Sequence, residues 1–437
     1  MCIRDRALSV PASQLTPVAA PVGLPAVVLA HSADASSPTL FTVTPLAGRH
    51  SGDVVAWRPA PVAAAQSTSI PGASYVLQWS AQQRMQQDER TAGARWSAQR
   101  SMFTWDRSRR TQVDLRWPLL PAHMQQQLLS SNPQAAVLGG EALVNYLRGD
   151  RSNEGRAGLL PRRESLLGDT LASQPVIVVD SASSEAAQVI VGTASGVLHA
   201  LDAASGQERW AYLPSALVCP QRLPTATTCA QQSAQMIPAS ARVELWGQPR
   251  DVLVSGLGGA APGWFALDVT PEAPHLNLAH GQAKPRVLWE RGAQDDAGIG
   301  YYYGKPTIAE LNDGQAYVVA GNGYNSQRGE AALYLIRLAD GQVMRLGTGS
   351  GSPLSRNGMS APALVDSDFD GVVDRVYAGD VAGQLWKFDL SSSRAEDWGV
   401  AAGVRPLFAA GPAHPILLTP EVTHYDGDGF LVYVATG

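Results

Sequence analysis

Short apolar runs that end in glycine recur along the second half of the chain. They are Val189-Ile190-Val191-Gly192, Val252-Leu253-Val254-Ser255-Gly256, Tyr317-Val318-Val319-Ala320-Gly321, Val376-Tyr377-Ala378-Gly379 and Val432-Tyr433-Val434-Ala435-Thr436-Gly437. Runs this short, rich in β-branched and aromatic residues and closed by Gly, predict strands rather than helices. The segments after these runs repeat as well. Gly192 to Asp202 reads Gly-Thr-Ala-Ser-Gly-Val-Leu-His-Ala-Leu-Asp. Gly379 to Asp389 reads Gly-Asp-Val-Ala-Gly-Gln-Leu-Trp-Lys-Phe-Asp, with both glycines and the Asp in register. A tryptophan (Trp210, Trp289, Trp398) then ends a further short strand, and Pro175, Pro306, Pro362 and Pro420 each stand where a unit opens. The pattern predicts four short antiparallel strands per unit, with units beginning near residues 175, 236, 305, 361 and 420. That is the repeat of a β-propeller blade, so the fold class is all-β. A single blade cannot bury both of its faces and must stack on its neighbours.

Upstream the pattern is less regular. Gly52–Trp57, Ser74–Trp79 and Ser101–Trp105 read as strands, and residues 80–100 between them are compatible with a helix, so 49–117 is expected to be an earlier blade with a helical insertion. Residues 121–147 space Met124, Leu128, Leu129, Val137, Leu138, Leu143, Val144 and Leu147 among polar positions, which predicts one or two helices broken near Asn132-Pro133 and Gly139-Gly140. Residues 7–45 form an Ala/Pro/Ser/Thr-rich, low-complexity segment expected to be flexible or peripheral. Residues 1–6 (Met-Cys-Ile-Arg-Asp-Arg) bear no relation to that segment and read as non-native, adaptor-like sequence. The last unit stops at Gly437, where its next hairpin is due. The chain is therefore expected to be a fragment, truncated at both ends, with an incomplete propeller over 46–437 and clear blades from about 170.

One connection differs from its counterparts. Residues 366–374 read Asp-Ser-Asp-Phe-Asp-Gly-Val-Val-Asp, placing Asp366, Asp368, Asp370 and Asp374 around Gly371. Side chains at positions one, three and five, a glycine at six and a backbone carbonyl at seven are the ligand spacing of a calcium loop. Val372 stands at position seven and Asp374 at nine. Position twelve is Tyr377, so the bidentate Glu of an EF-hand is missing. The flanks are strand-like, which makes this a calcium loop between two strands. Four carboxylates this close repel one another unless they splay into water or share a cation. An all-oxygen donor set suits Ca2+; zinc would require His or Cys. The alternative is a solvated Asp/Gly-rich turn, yet the equivalent turn at Asn312-Asp313-Gly314 manages with a single Asp. Asp426-Gly427-Asp428-Gly429 has too few acids for a second ion and reads as a hairpin turn.

Composition narrows the class. The 437 residues suit one large β domain or two ordinary ones. A net charge of −5 without a basic stripe argues against nucleic acid as a partner, and no run is long and apolar enough to span a membrane. Besides Cys2, the cysteines are Cys219 and Cys229, both in a Pro/Thr-rich insertion, a candidate disulfide in an oxidising compartment; two free thiols are the alternative. No Cys/His group has zinc-ligand spacing. Arg148-Gly149-Asp150 spells a tripeptide that some integrins read, but its position just past an apolar helical pattern favours a helix-capping role.

The sequence resembles the C-terminal domain of type IV pilus assembly factors of the PilC/PilY type, the tip-associated adhesins. The resemblance is carried from about residue 145 onward by Tyr146-Leu147-Arg148-Gly149-Asp150, Arg162–Asp169, Ser173-Gln174-Pro175, Ser195–Asp202, Ala266–Thr270, Gly321–Ser326 and Gly383–Leu390. It implies a modified, about seven-bladed, quinoprotein-like propeller exported to the periplasm, outer membrane, cell surface or pilus tip. It also implies a calcium site at Asp366, Asp368, Asp370, Asp374 and the Val372 carbonyl. Occupancy of that site would regulate pilus extension and retraction, and so twitching motility and adhesion. The implied partners are minor pilins and host or abiotic surface ligands. The alternative is an enzyme, because quinone-dependent dehydrogenases use propellers with similar Gly/Trp repeats and also bind calcium. In those enzymes the ion sits beside the cofactor in a central funnel, whereas these carboxylates are consecutive in one loop. His199, His275, His280, His414 and His424 fall in no catalytic motif. The expectation is a non-enzymatic module.

Overall fold

A computed structural model describes residues 2–4, 26–30, 39–46, 51–59, 75–130, 135–155, 160, 162–170, 174–179, 186–218, 234–271, 284–401, 403, 405–425 and 429–437. In chain order the strands begin with β1 (Cys2–Arg4), then β2 (Ala26–Ala30), β3 (Thr39–Leu46), β4 (Ser51–Pro59) and β5 (Tyr75–Ser80). Helices α1 (Ala81–Ala92) and α2 (Ala94–Gln99) come next, then β6 (Met102–Asp106) and β7 (Thr111–Asp114), α3 (Ala122–Ser130) and α4 (Gly140–Leu147). The next strands are β8 (Val176–Val179), β9 (Ala186–Gly192), β10 (Leu198–Asp202) and β11 (Glu208–Tyr212). The later blades comprise β12 (Ala239–Leu245), β13 (Gln248–Gly256), β14 (Gly263–Asp268) and β15 (Arg286–Gly292); then β16 (Thr307–Glu310), β17 (Ala316–Gly321), β18 (Glu330–Arg337) and β19 (Val343–Gly351). They end with β20 (Ala363–Val365), β21 (Arg375–Gly379), β22 (Gln384–Asp389), β23 (Gly399–Val400), β24 (Phe408–Ala409), β25 (Glu421–Tyr425) and β26 (Gly429–Tyr433). The unit starts expected near 175, 236, 305, 361 and 420 coincide with β8, β12, β16, β20 and β25 to within a few residues.

The chain divides into two compact units, one of Gly23–Pro238 with Leu267–Val287 and one of Met1–Val22, Ala239–Ala266 and Leu288–Gly437. In the first, β2-β3-β4-β5 form a four-stranded sheet. β2 and all but the last residue of β3 lie inside the Ala/Pro/Ser/Thr-rich stretch 7–45, where alternate residues Phe41 and Val43 are buried. The expected early blade spanning 49–117 is split. β6 pairs in parallel with β11, so β6 and β7 extend the sheet of the following unit into the order β7-β6-β11-β10-β9-β8. The reason lies in the partners: Phe103 packs on Trp210 and Tyr212, which belong to that later unit. The predicted helices are present as α3 and α4, with Gly139 in the left-handed region (φ 87°) at the break.

In the second unit the sheets run β12-β13-β14-β15, β16-β17-β18-β19 and β20-β21-β22-β23, with β24 also on β22; β25 pairs β26, whose other side carries β1. The strand β18 shows why the blades read as continuous apolar runs. Its Ala332, Tyr334 and Ile336 pack with Trp264, Trp289 and Val318. The alternate residues Ala331, Leu333 and Leu335 pack with Val376, Trp386 and Phe388. Successive side chains point to opposite faces of a strand, and here both faces are buried, so no polar alternation is left.

Four of the five glycines that end these apolar runs are in tight contact with a neighbouring segment. A Cβ on Gly321 would lie 2.0 Å from the Ser360 carbonyl oxygen, and one on Gly379 would lie 2.1 Å from Ile416 Cγ2. Gly192 and Gly256 face Met236 and Tyr302 in the same way. The segment leading into the next blade crosses the end of the second strand at backbone contact, a place only Gly leaves open.

Candidate metal centre

The acidic loop joins β20 to β21. Asp366 Oδ1 accepts the Phe369 N–H (2.6 Å) and its Oδ2 accepts the Gly371 N–H (2.8 Å), so one carboxylate folds the turn around itself. Gly371 has φ 94°, a conformation that L side chains rarely adopt. Phe369 is also in the left-handed region (φ 64°). Asp370 Oδ1 accepts the Val372 N–H at 2.8 Å, and Asp368 Oδ1 receives a long contact from the Asp370 N–H (3.4 Å).

Asp374 is the buried member, 6% exposed. Its Oδ2 accepts the N–H and hydroxyl of Ser367 at 2.8 and 2.6 Å, and its Oδ1 accepts Asn312 Nδ2 at 3.1 Å. Burial pushes this carboxyl up, but the Ser367 and Asn312 hydrogen bonds and the Arg375 charge outweigh it, leaving Asp374 below the ordinary carboxylate value. Asp368 moves the other way. Residual desolvation comes first, and the charges of Asp370, Asp374 and Asp366 add to it in raising this exposed carboxyl.

Of the five residues expected from the sequence, Asp366, Asp368 and Asp374 converge, each offering an oxygen within 4.8 Å of the others. Asp370 is outside that trio and turns to the Val372 amide, and Val372 is fastened there by its N–H. The donor set fits a hard cation: all carboxylate, no nitrogen or sulfur, and a shared repulsion that a cation relieves.

Ligand spacing does not mark Asn312 as a functional residue. It sits in the equivalent turn of the preceding blade and donates to Asp374 Oδ1, to the Val373 carbonyl (3.3 Å) and to the Leu390 carbonyl (3.0 Å). The Val373 N–H in turn donates to the Glu310 carbonyl at 3.1 Å. The place of Asn312 in the turn equivalent to the acidic loop is a signal the sequence does hold.

The Arg148-Gly149-Asp150 tripeptide is not displayed. Arg148 is 1% exposed, and its guanidinium donates to the carbonyls of Ser97 (2.7 Å), Ala98 (3.1 Å), Arg100 (2.7 Å) and Leu115 (3.2 Å). It therefore caps a helix, as expected, but that helix is α2 rather than the one it ends. Asp150 Oδ1 caps the Ser152 N–H. Cys219, Cys229 and Asp426–Asp428 lie outside the described residues.

The PilY1 beta-propeller domain family matches residues 235–414, which contain the acidic loop and the Asn312 turn. The chain carries a PilY1-type β-propeller domain. It is 33% identical over 373 residues to the type IV pilus biogenesis factor PilY1 of Pseudomonas aeruginosa strain PAK, covering 74% of this chain and 31% of that protein. It is 32% identical over 346 residues to a PilY1 homolog of Xylella fastidiosa, covering 68% of this chain and 23% of that one. The crystal structure of the Pseudomonas aeruginosa PilY1 C-terminal domain is similar over 57% of this chain and 52% of that one, with 32% identity and a TM-score of 0.48. The chain thus spans about a third or less of the length of these PilY1 relatives. Among the described residues no helix is long and apolar enough to cross a membrane.

Proposed function

We propose that this chain is the calcium-binding, non-enzymatic propeller of a type IV pilus biogenesis protein, exported and acting at the cell surface or pilus tip. There it regulates pilus extension and retraction, and through them twitching motility and adhesion. Its partners are minor pilins and surface ligands. The observation that carries this reading is the convergence of Asp366, Asp368 and Asp374 in a loop of a PilY1-type domain. Asp366, Asp368, Asp370, Asp374 and the Val372 carbonyl would hold the ion. When bound, the ion neutralises the cluster and fixes one loop arrangement, and a partner that recognises that arrangement responds to calcium by population shift.

Calorimetry tests the assignment. Asp368→Ala is expected to weaken calcium binding by at least about tenfold, since it removes one charged ligand of a site whose affinity follows ligand charge. The propeller should keep its fold, because Asp368 is exposed. Affinity equal to wild type would overturn the site. In cells, the same substitution in the full-length protein is expected to change surface piliation and twitching; an unchanged phenotype despite lost binding would sever calcium from the function.

A further inference from the structure

The acidic loop is held on its two sides by different kinds of contact. Toward the preceding blade it is fixed by hydrogen bonds through Asn312 and the Glu310 carbonyl. Toward the following blade the contacts are rings. Phe369, at the loop tip, stacks on His424 of β25 (centroids 5.9 Å apart, planes 28° apart). His424 meets Phe430 of β26 edge-on at 5.2 Å, and these two residues are cross-strand partners in register. Arg375, immediately after Asp374, places its guanidinium 5.7 Å from the centre of the Phe430 ring. The chain of contacts Phe369–His424–Phe430–Arg375 therefore leaves the loop at its tip, crosses one strand pair and returns to the loop's far shoulder.

Phe369 pays twice for its place. It is 76% exposed and adopts a left-handed backbone conformation in which a bulky side chain is a genuine outlier. The corresponding turn at Asn312-Asp313-Gly314 has no aromatic residue. An outlier of this kind points to a contact worth keeping, and the contact Phe369 makes is the His424 ring.

We propose that Phe369 and His424 form the link by which the state of the acidic loop is passed to the β25–β26 pair of the next blade, so that ordering the loop orders that hairpin. The proposal rests on the calcium reading above for what orders the loop, and it adds where the change goes. With the carboxylates drawn together, Phe369 is held at fixed height over His424. With the loop released, the stack loosens, and β25, an edge strand with mostly exposed side chains, loses a neighbour.

The test uses the full chain and calcium alone, reading binding by calorimetry and local opening by amide hydrogen exchange. In wild type, saturating calcium is expected to slow exchange across Glu421–Tyr425 and Gly429–Tyr433 by about fivefold or more, the lower end of typical coupling between sites. Phe369→Ala and His424→Ala keep every ligand and are expected to bind calcium within about twofold of wild type, well below that coupling range, yet to show no slowing in the hairpin. Phe369→Tyr, which retains a stacking ring, is expected to restore it. Slowing that persists in both alanine variants overturns the link, as does a wild type that binds calcium while its hairpin exchange stays the same. A wild type that binds no calcium overturns the calcium reading itself, and the link falls with it.

Discussion

At the scale of single residues, burial separates side chains that act from those that hold. Asp366, Asp368 and Asp370 lie toward solvent, where a carboxylate can exchange water for a cation; Asp374 is buried and already satisfied by Ser367 and Asn312. Asp374 is thus the fixed member of the cluster. Arg148 is a holding residue despite its tripeptide. Its guanidinium satisfies carbonyls at the end of α2, which otherwise have no helical partner. Replacing it by Ala is expected to cost about 3 kcal/mol, because several hydrogen bonds from a charged donor are lost together. Urea unfolding measures this, and a cost below about 0.5 kcal/mol, the range of an ordinary surface change, would contradict the capping role.

At the scale of elements, the joint between α2 and the sheet containing β10 and β11 is ionic and buried. Arg100 donates to both oxygens of Glu208 at 2.6 and 2.7 Å, and His199 Nδ1 meets Glu208 Oε1 at 2.7 Å. Burial depresses His199 from its ordinary 6.5, the Glu208 hydrogen bond and charge oppose this, and Arg100 reinforces it. Burial would raise Glu208, but the Arg100 charge and hydrogen bond and the His199 hydrogen bond hold it far below the ordinary carboxylate value. With both folded-state values depressed, the unfolded chain binds protons first. Stability from His199 is present above pH 6.5 and is lost as pH falls below it. The Glu208 contribution is lost only in stronger acid. Thermal midpoints are therefore expected to fall as pH drops below 6.5, and His199→Gln should flatten that part of the profile. A profile equally steep in the variant would remove His199 from the account. The glycine ends of the strands offer a second check. Gly379→Ala is expected to cost about 1–3 kcal/mol, the range for overpacking, because its Cβ would fall 2.1 Å from Ile416 Cγ2. Unchanged unfolding would mean that the crossing segment can retreat.

At the scale of the molecule, each blade is finished only by its neighbour, as the alternating faces of β18 demonstrate. The same repetition is open to other chemistry: Gly/Trp repeats serve quinone-dependent enzymes too, so the fold alone does not choose the function. The pilus reading proposed above rests instead on carboxylates that cluster in one loop between adjacent strands and on relatives named as pilus biogenesis factors. Incubating the chain with the quinone cofactor of such enzymes and calcium is expected to leave no bound quinone absorbance after gel filtration; a retained stoichiometric chromophore would revive the enzyme reading.

The blade repeat and the acidic loop were legible in the sequence because both are local. Short apolar runs, the glycines that close them and carboxylates two residues apart are written within a few consecutive positions. Tertiary structure alone decided the rest. Asn312 reaches Asp374 across 62 positions, Phe369 finds a ring in another blade, Arg148 caps a helix some fifty residues earlier, and β6 leaves its expected blade for the sheet of β11. Each depends on which segments stack as neighbours. That choice is made by pooled burial of apolar faces over the whole domain, and no local stretch of sequence records it.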